Sequence, residues 1–172
     1  SVAIEKADLT LKYISHYNEI KELLFKNSSE ILNVRRNKAF QDFVSLGIPS
    51  FKNENYKYTN LNPQFLPDYE FVHERQEQEA DLNEIFRCDV PELDNTPTLL
   101  YNGWFYEKNI RGINLPEGVI LESLENAAKN HPELVHKYYS TVADTTADPL
   151  VALNTAFAKD GYFLYVPKNL MV

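Results

Sequence analysis

The final 25 residues, 148–172, constrain this chain more than any other stretch, because they predict a strand that needs more neighbours than the chain supplies. Asp148 followed by Pro149 reads as a helix N-cap and first helical residue. The carboxylate accepts backbone N–H groups that no helical carbonyl reaches, and proline gives up a donor that would be orphaned there anyway. Leu150, Leu153 and Phe157 then share one helical face. Asp160 and Gly161 close the helix, and Tyr162-Phe163-Leu164-Tyr165-Val166 predicts a strand without a polar residue. Such a strand needs cover on both faces and a hydrogen-bonded partner on each edge. Six residues follow it, so the expectation is the front part of a longer protein.

At 172 residues the chain suits one compact domain, or one domain and a piece of another. Its aromatic content, with eleven Tyr and ten Phe against one Trp, predicts a core built from rings whose hydroxyls need partners. Cys88 is alone, so the chain cannot close an internal disulfide, a Cys-ligated zinc site or a four-thiolate iron–sulfur cluster by itself. No basic-then-apolar segment precedes Leu9, and no apolar run reaches the roughly 18 residues of a membrane span. Ser1 in place of methionine suggests a processed chain, and Asn27-Ser28-Ser29 matches a glycosylation sequon with nothing else to indicate secretion. The expected location is cytoplasmic, in solution and away from membranes.

The net charge of −8 is unevenly spread. Residues 1–60 carry nine Lys and Arg against seven Asp and Glu, whereas residues 61–130 carry five against fourteen. Ten carboxylates fall between Asp68 and Asp94, opposed only by Arg75 and Arg87. Such a run repels a phosphate backbone, which excludes nucleic acid as its partner. It reads as a solvated acidic connector over 68–96, or alternatively as a docking strip for a basic partner.

Leu9, Tyr13, Tyr17, Ile20 and Leu24 recur at helical spacing and predict a helix from about Asp8 to Lys26. Asn27 stands as a cap for the next helix, with Glu30 in the capping-box position. Leu32, Arg36, Ala39, Phe43 and Leu46 form its stripe, ended by Gly47 and Pro49. The two make a helical hairpin whose basic residues Arg35, Arg36 and Lys38 read as solvated charge, with acid elsewhere in the chain as the alternative. An irregular stretch from Ile48 to Pro67 and a short helix over Asp81 to Phe86 follow. Asn102-Gly103 between two apolar runs is the strongest short signal for a β-hairpin. A turn at Pro116-Glu117-Gly118 leads into a strand Val119-Ile120-Leu121; Ser123 caps a helix that His131-Pro132 interrupts and Glu133 to Val142 resumes.

Candidate chemistry is sparse. His16, His73, His131 and His136 lack the i, i+4 spacing that sets two ligands on one helical face, so no metal site is expected. His73-Glu74 could serve as an acid/base pair only in a desolvated pocket, and its acidic surroundings read as solvated. Cys88 has no basic neighbour except Arg87, and no nucleophile elbow, phosphate-binding loop or dinucleotide fingerprint occurs. The five glycines read as caps or turns. Glu54 to Leu61, with Tyr56 and Tyr58 alternating against Lys57 and Thr59, reads either as a rung of strand or as two rings packed on the helical hairpin. A stacking platform for a nucleobase is the functional alternative, opposed by the acidic balance. Catalytic, cofactor-binding and metal residues are therefore expected to be none.

Three stretches together resemble the SufD branch of the SufB/SufD family of iron–sulfur cluster assembly proteins. The first runs from Arg36-x-x-Ala39 through Phe43, Leu46 and Gly47-Ile48-Pro49 to Lys52, Glu54 and Tyr56-Lys57-Tyr58-Thr59. It is similar to a family helix, a Gly-x-Pro turn and an element in which Trp commonly stands at the place of Tyr56. The second is Leu100-Tyr101-Asn102-Gly103-Trp104-Phe105 with Leu115-Pro116-Glu117-Gly118-Val119. The third is Asp148-Pro149-Leu150-Val151-Ala152-Leu153-Asn154-Thr155-Ala156-Phe157, closing at Asp160-Gly161, similar to the family's lead into its β-helix. The stretch from Asp68 to Asp94 carries no resemblance.

The resemblance implies an α+β fold. An N-terminal helical hairpin and a small β-hairpin and strand region would occupy 1–147, and 148–172 would hold the lead-in helix and first strand of a truncated right-handed parallel β-helix. It implies the N-terminal region of a scaffold subunit of the SUF system, not an enzyme and without a cofactor in this stretch. Its partners would be a SufB-like subunit and a SufC-like ABC-type ATPase, bound through parts beyond these residues. Two other readings compete: the start of a β-helix enzyme acting on polysaccharide, and a free-standing protein-interaction module.

Overall fold

A computed structural model of the chain describes residues 2–76, 98–106 and 114–171. The helix expected over Asp81 to Phe86, together with Arg87, Cys88 and most of the acidic run, lies outside the described residues.

Helix α1 spans Val2–Phe25 and α2 spans Glu30–Leu46. Leu9, Tyr13, Tyr17, Ile20 and Leu24 are all buried, as their spacing predicts. The turn between the helices differs from expectation. Asn27 takes a left-handed φ of 62° and ends α1, while Ser29 stands at the N-cap of α2 without a side-chain cap bond. No capping box forms, because Asn27 lies outside α2 in the left-handed region and Glu30 is the first residue of the helix, where the box needs it at the third. The irregular stretch holds a 3₁₀ turn at Glu54–Tyr56 and a short helix α3 at Asn62–Phe65, so the Tyr56 to Tyr58 element is not a strand.

The Asn-Gly hairpin forms as read. β1 (Leu100–Tyr101) pairs antiparallel with β2 (Trp104–Phe105), and both turn residues have positive φ, 48° at Asn102 and 88° at Gly103. Gly118, at φ 86°, allows the next turn, where an added Cβ would lie 2.9 Å from Pro167 Cγ. Strand β3 is Ile120–Ser123. Ser123 then caps α4 (Leu124–Asn130) by accepting from Asn126 N at 3.0 Å, and Pro132 opens α5 (Pro132–Tyr138). α5 ends four residues short of the expected Val142, as Tyr139 turns extended and Ser140 takes a φ of 55°. Asp148 caps α6 (Pro149–Phe157), accepting from Leu150 N and Val151 N.

The core is organised by α2, whose closest packing partner is α6. Ala39, Ala152 and Ala156 are fully buried, small enough to bring the two backbones close. Two adjoining clusters result. Tyr17, Ile20, Leu24, Ala39, Phe40 and Ala156 form one; Leu9, Tyr13, Phe43, Ile48 and Ala152 form the other. A third joins Leu32 of α2 to Leu124, Ala127, Ala128 and Val135. The buried face of α6 is therefore Ala152, Thr155 and Ala156; Leu150, Leu153 and Phe157 are half-buried beside it.

Strand β4 (Tyr162–Tyr165) pairs antiparallel with β3, in register Ile120↔Tyr165 to Ser123↔Tyr162. A parallel β-helix rung is not what this pairing makes. The strand is also covered on one face only: Phe163 packs on the α4–α5 cluster, while Tyr162 and Leu164 are exposed. Its second edge has no strand partner among the described residues. The fold is thus α+β, with helices around two small antiparallel sheets. Among the described residues, no helix is long and apolar enough to cross a membrane.

Candidate functional site

Two polar centres stand out against this core, and both involve the turn after α6. The first is Arg36, which leaves the middle of α2 on its buried stripe and is 2% exposed. Its Nε donates to Ala158 O at 2.7 Å, and its Nη1 donates to Ser28 Oγ and to Asn33 Oδ1. Its Nη2 pairs with Glu125 Oε1 at 2.8 Å. One guanidinium thus ties together the start of α2, the second residue of α4 and the exit of α6. Five fixed donors in one plane suit it to that task. Asp160 completes the junction: Oδ2 accepts from Phe105 N and Oδ1 from Glu125 N, so β2, α4 and the approach to β4 share one carboxylate. Burial pushes the Asp160 carboxyl up, against the backbone donors that hold it down.

Arg36 was expected to be solvated; it is buried and paired. Lys38 is exposed, as expected, and donates to Asp42 Oδ2 at 2.7 Å, an oxygen to which Thr145 also donates. Arg35 is half-buried and reaches His136 O at 3.5 Å.

The second centre is a groove of about 720 Å³ bordered by α1, α6, the Phe71–His73 segment and the β-hairpin. Leu150, Leu153 and Phe157 form its apolar wall. His16 and His73, 57 positions apart in sequence, meet here with ring centroids 5.0 Å apart. His16 also stacks on Phe71 at 3.8 Å. Lys159 donates to Val72 O and lies 4.7 Å from the centroid of the Trp104 ring. Burial brings the Lys159 ammonium down to about 8, with Glu74 opposing. Both imidazoles are held below the ordinary value: His16 by burial and then by His73, and His73 by burial and then by Lys159. Sequence reasoning missed this meeting because only a long-range fold brings i and i+57 together; the one local signal was an isolated His on the α1 surface.

Elsewhere, His131 lies 3.3 Å from Glu122, and the two later histidines do not converge. Among the described residues, no group of three or more His, Cys, Asp or Glu side chains is placed to hold a metal ion. His73 does sit in a partly enclosed site, but its neighbour Glu74 is exposed.

The Glu54 to Leu61 element divides between its two rings. Tyr56 donates to Asp148 Oδ1 at 2.7 Å, the same oxygen that caps α6. Tyr58 is 92% exposed, with Lys57 over its ring, so it does not pack on the helical hairpin as expected. A strand would have set both rings on one face; the 3₁₀ turn at Glu54–Tyr56 does not, and only Tyr56 faces α6.

The arrangement spends its polar groups on fixing how α2, α4, α6 and β4 meet, and comparison with known proteins agrees with the motifs that span those elements. The model of the SufBD protein N-terminal region matches residues 7–172. The chain belongs to the SufBD family. It is 28% identical over 162 residues to an iron–sulfur cluster assembly SufBD family protein of Arabidopsis thaliana, covering 85% of this chain and 34% of that one. It is 26% identical over 130 residues to a SufBD family protein of Porphyra purpurea, covering 76% and 25%. A Synechocystis SufBD protein is 42% identical over 53 residues, covering 31% and 11%. The chain thus spans about a third or less of the length of these SufBD relatives. No solved structure matches it.

Proposed function

We propose that this chain is the N-terminal architectural region of a SufD-like scaffold subunit for iron–sulfur cluster assembly, cytoplasmic and without catalysis of its own. The observation that carries the reading is the junction at the exit of α6. α6 is locked to α2 and α4 through Arg36 and Asp160, and it delivers β4 with one edge and the Tyr162–Leu164 face open. A rigid helical unit presenting an open strand suits a lead-in to the right-handed parallel β-helix of a longer protein. That later part would meet a SufB-like subunit and bind a SufC-like ABC-type ATPase.

Cluster loading tests the passive role. One thiol, Cys88, cannot supply the four protein ligands that a [2Fe–2S] or [4Fe–4S] centre normally takes. Anaerobic reconstitution of the chain with ferrous iron and sulfide should leave no stable visible chromophore after desalting. A stoichiometric cluster would mean that these residues build a bridged site between copies, and the architectural role would fall.

A further inference from the structure

Two cavities meet at His73 and Lys159. The larger is the groove already described; the smaller, about 190 Å³, also takes in Lys26, Lys129 and Trp104. Along the larger run the apolar surfaces of Ile20, Leu153 and Phe157. We infer that this junction binds a small aromatic anion of the aryl phosphate class, its charged group at His73 and Lys159 and its ring along Leu153 and Phe157.

The donors there are under-used. An ammonium has three N–H donors, and Lys159 directs one to Val72 O. His16 Nε2 is buried without a hydrogen-bond partner among the described residues. His73 makes ring contacts to His16 and Phe71. Among the described residues, the nearby acids are either engaged or exposed. Glu125 lines the small cavity, but its Oε1 accepts from Arg36 and Ser28. Asp160 accepts from two backbone amides. Glu19 stands 3.8 Å from the far nitrogen of His16 with its side chain 71% exposed, and Glu74 points to solvent. Among the described residues, two imidazoles and an ammonium are therefore crowded together without a carboxylate seated between them. All three are pushed toward their neutral forms, and a bound anion reverses that push. The groove's volume lies within the roughly 300–1,000 Å³ typical of small-ligand sites, and its walls are mostly apolar, as such sites require.

The test uses 2-naphthyl phosphate on the whole chain, with inorganic phosphate and 2-naphthol as separate arms, followed by titration calorimetry and by NMR of the imidazole C–H signals. Saturable binding of the aryl phosphate is expected, at least about tenfold tighter than either part alone, the equivalent of about 1.4 kcal/mol. The His16 and His73 titration midpoints should rise on binding. His73→Gln and Lys159→Met should each weaken it about tenfold or more with unchanged circular dichroism. Should Lys159→Met disturb folding, His73→Gln and the histidine titrations decide. Equal binding of 2-naphthol, unmoved histidine midpoints, or no saturation at millimolar probe would each overturn the inference.

Discussion

One oxygen of Asp148 accepts three hydrogen bonds, from Leu150 N, Val151 N and the Tyr56 hydroxyl. Burial pushes this carboxyl up, but those donors outweigh it and leave it below the ordinary carboxylate value. The same contact, with burial foremost, takes the Tyr56 phenol up to about 12. The cap was legible in Asp148-Pro149; the tyrosine was not, because its partner lies 92 positions away. Tyr56→Phe should therefore lower stability by about 1.5–3 kcal/mol, the range for a hydrogen bond to a charged group. Tyr58→Ala, on an exposed ring, should stay within about 0.5 kcal/mol of the parent. Urea midpoints of both variants check this, and a large loss at Tyr58 with none at Tyr56 would reverse the assignment.

At the scale of elements, α1, α2, α4, α5 and α6 followed from spacing and from Ser123, Pro132, Asp148 and Pro149, whereas α3 and the turn at Asn27 did not. What spacing did not reveal was which helix α2 would pack against. Ala39, Ala152 and Ala156 decide that through close approach, and small residues carry a weak periodic signal. Arg36 on an otherwise apolar stripe was the available clue, since a buried guanidinium requires partners. Arg36→Leu should cost about 3–5 kcal/mol, leaving the half-buried Glu125 without its cation. Adding Glu125→Leu should recover part of that loss, and a double-mutant cycle reads the coupling. Additive losses would mean that the pair does not act together.

The Pro67–Gln76 segment gives a pH dependence at the same scale. Lys12 holds Pro67 O and Asp68; Phe71 and His73 lie against His16; Lys159 holds Val72 O; Arg75 donates to Phe105 O. Among the described residues, the groups facing the histidines are Lys159, Glu19, Glu74 and the Tyr13 phenol, with Lys12 and Asp68 at the edge. Both imidazoles titrate below 6.5 when folded, so the unfolded chain binds more protons in that window. Stability should be intact above pH 6.5 and fall as the pH drops through 6.5 toward the folded values. Melting temperatures from about pH 5 to 8 should show that slope, flattened in a His16→Phe/His73→Gln variant. A parent that gains stability below 6.5 would contradict the placement of these rings.

For the whole molecule, the order of helical hairpin, β-hairpin and capped helix before a strand was legible, because each has its own local signal. The pairing of β4 was not. A run of Tyr162, Phe163, Leu164 and Tyr165 looks alike on both faces, so nothing local distinguishes an antiparallel β3 from a parallel rung. The exposed Tyr162 and Leu164, beside an edge without a strand partner among the described residues, predict concentration-dependent self-association of the isolated chain. Light scattering should detect it, and Leu164→Lys should suppress it. The proposed function makes this SufBD region architecture and sets the ATPase contact elsewhere in the longer protein. Co-purification of the cognate ABC-type ATPase with a full-length SufBD protein carrying this region, and separately with residues 1–172, tests it most directly. Capture by the full-length protein and none by the 172-residue chain is the predicted result; tight one-to-one capture by the chain alone would contradict it.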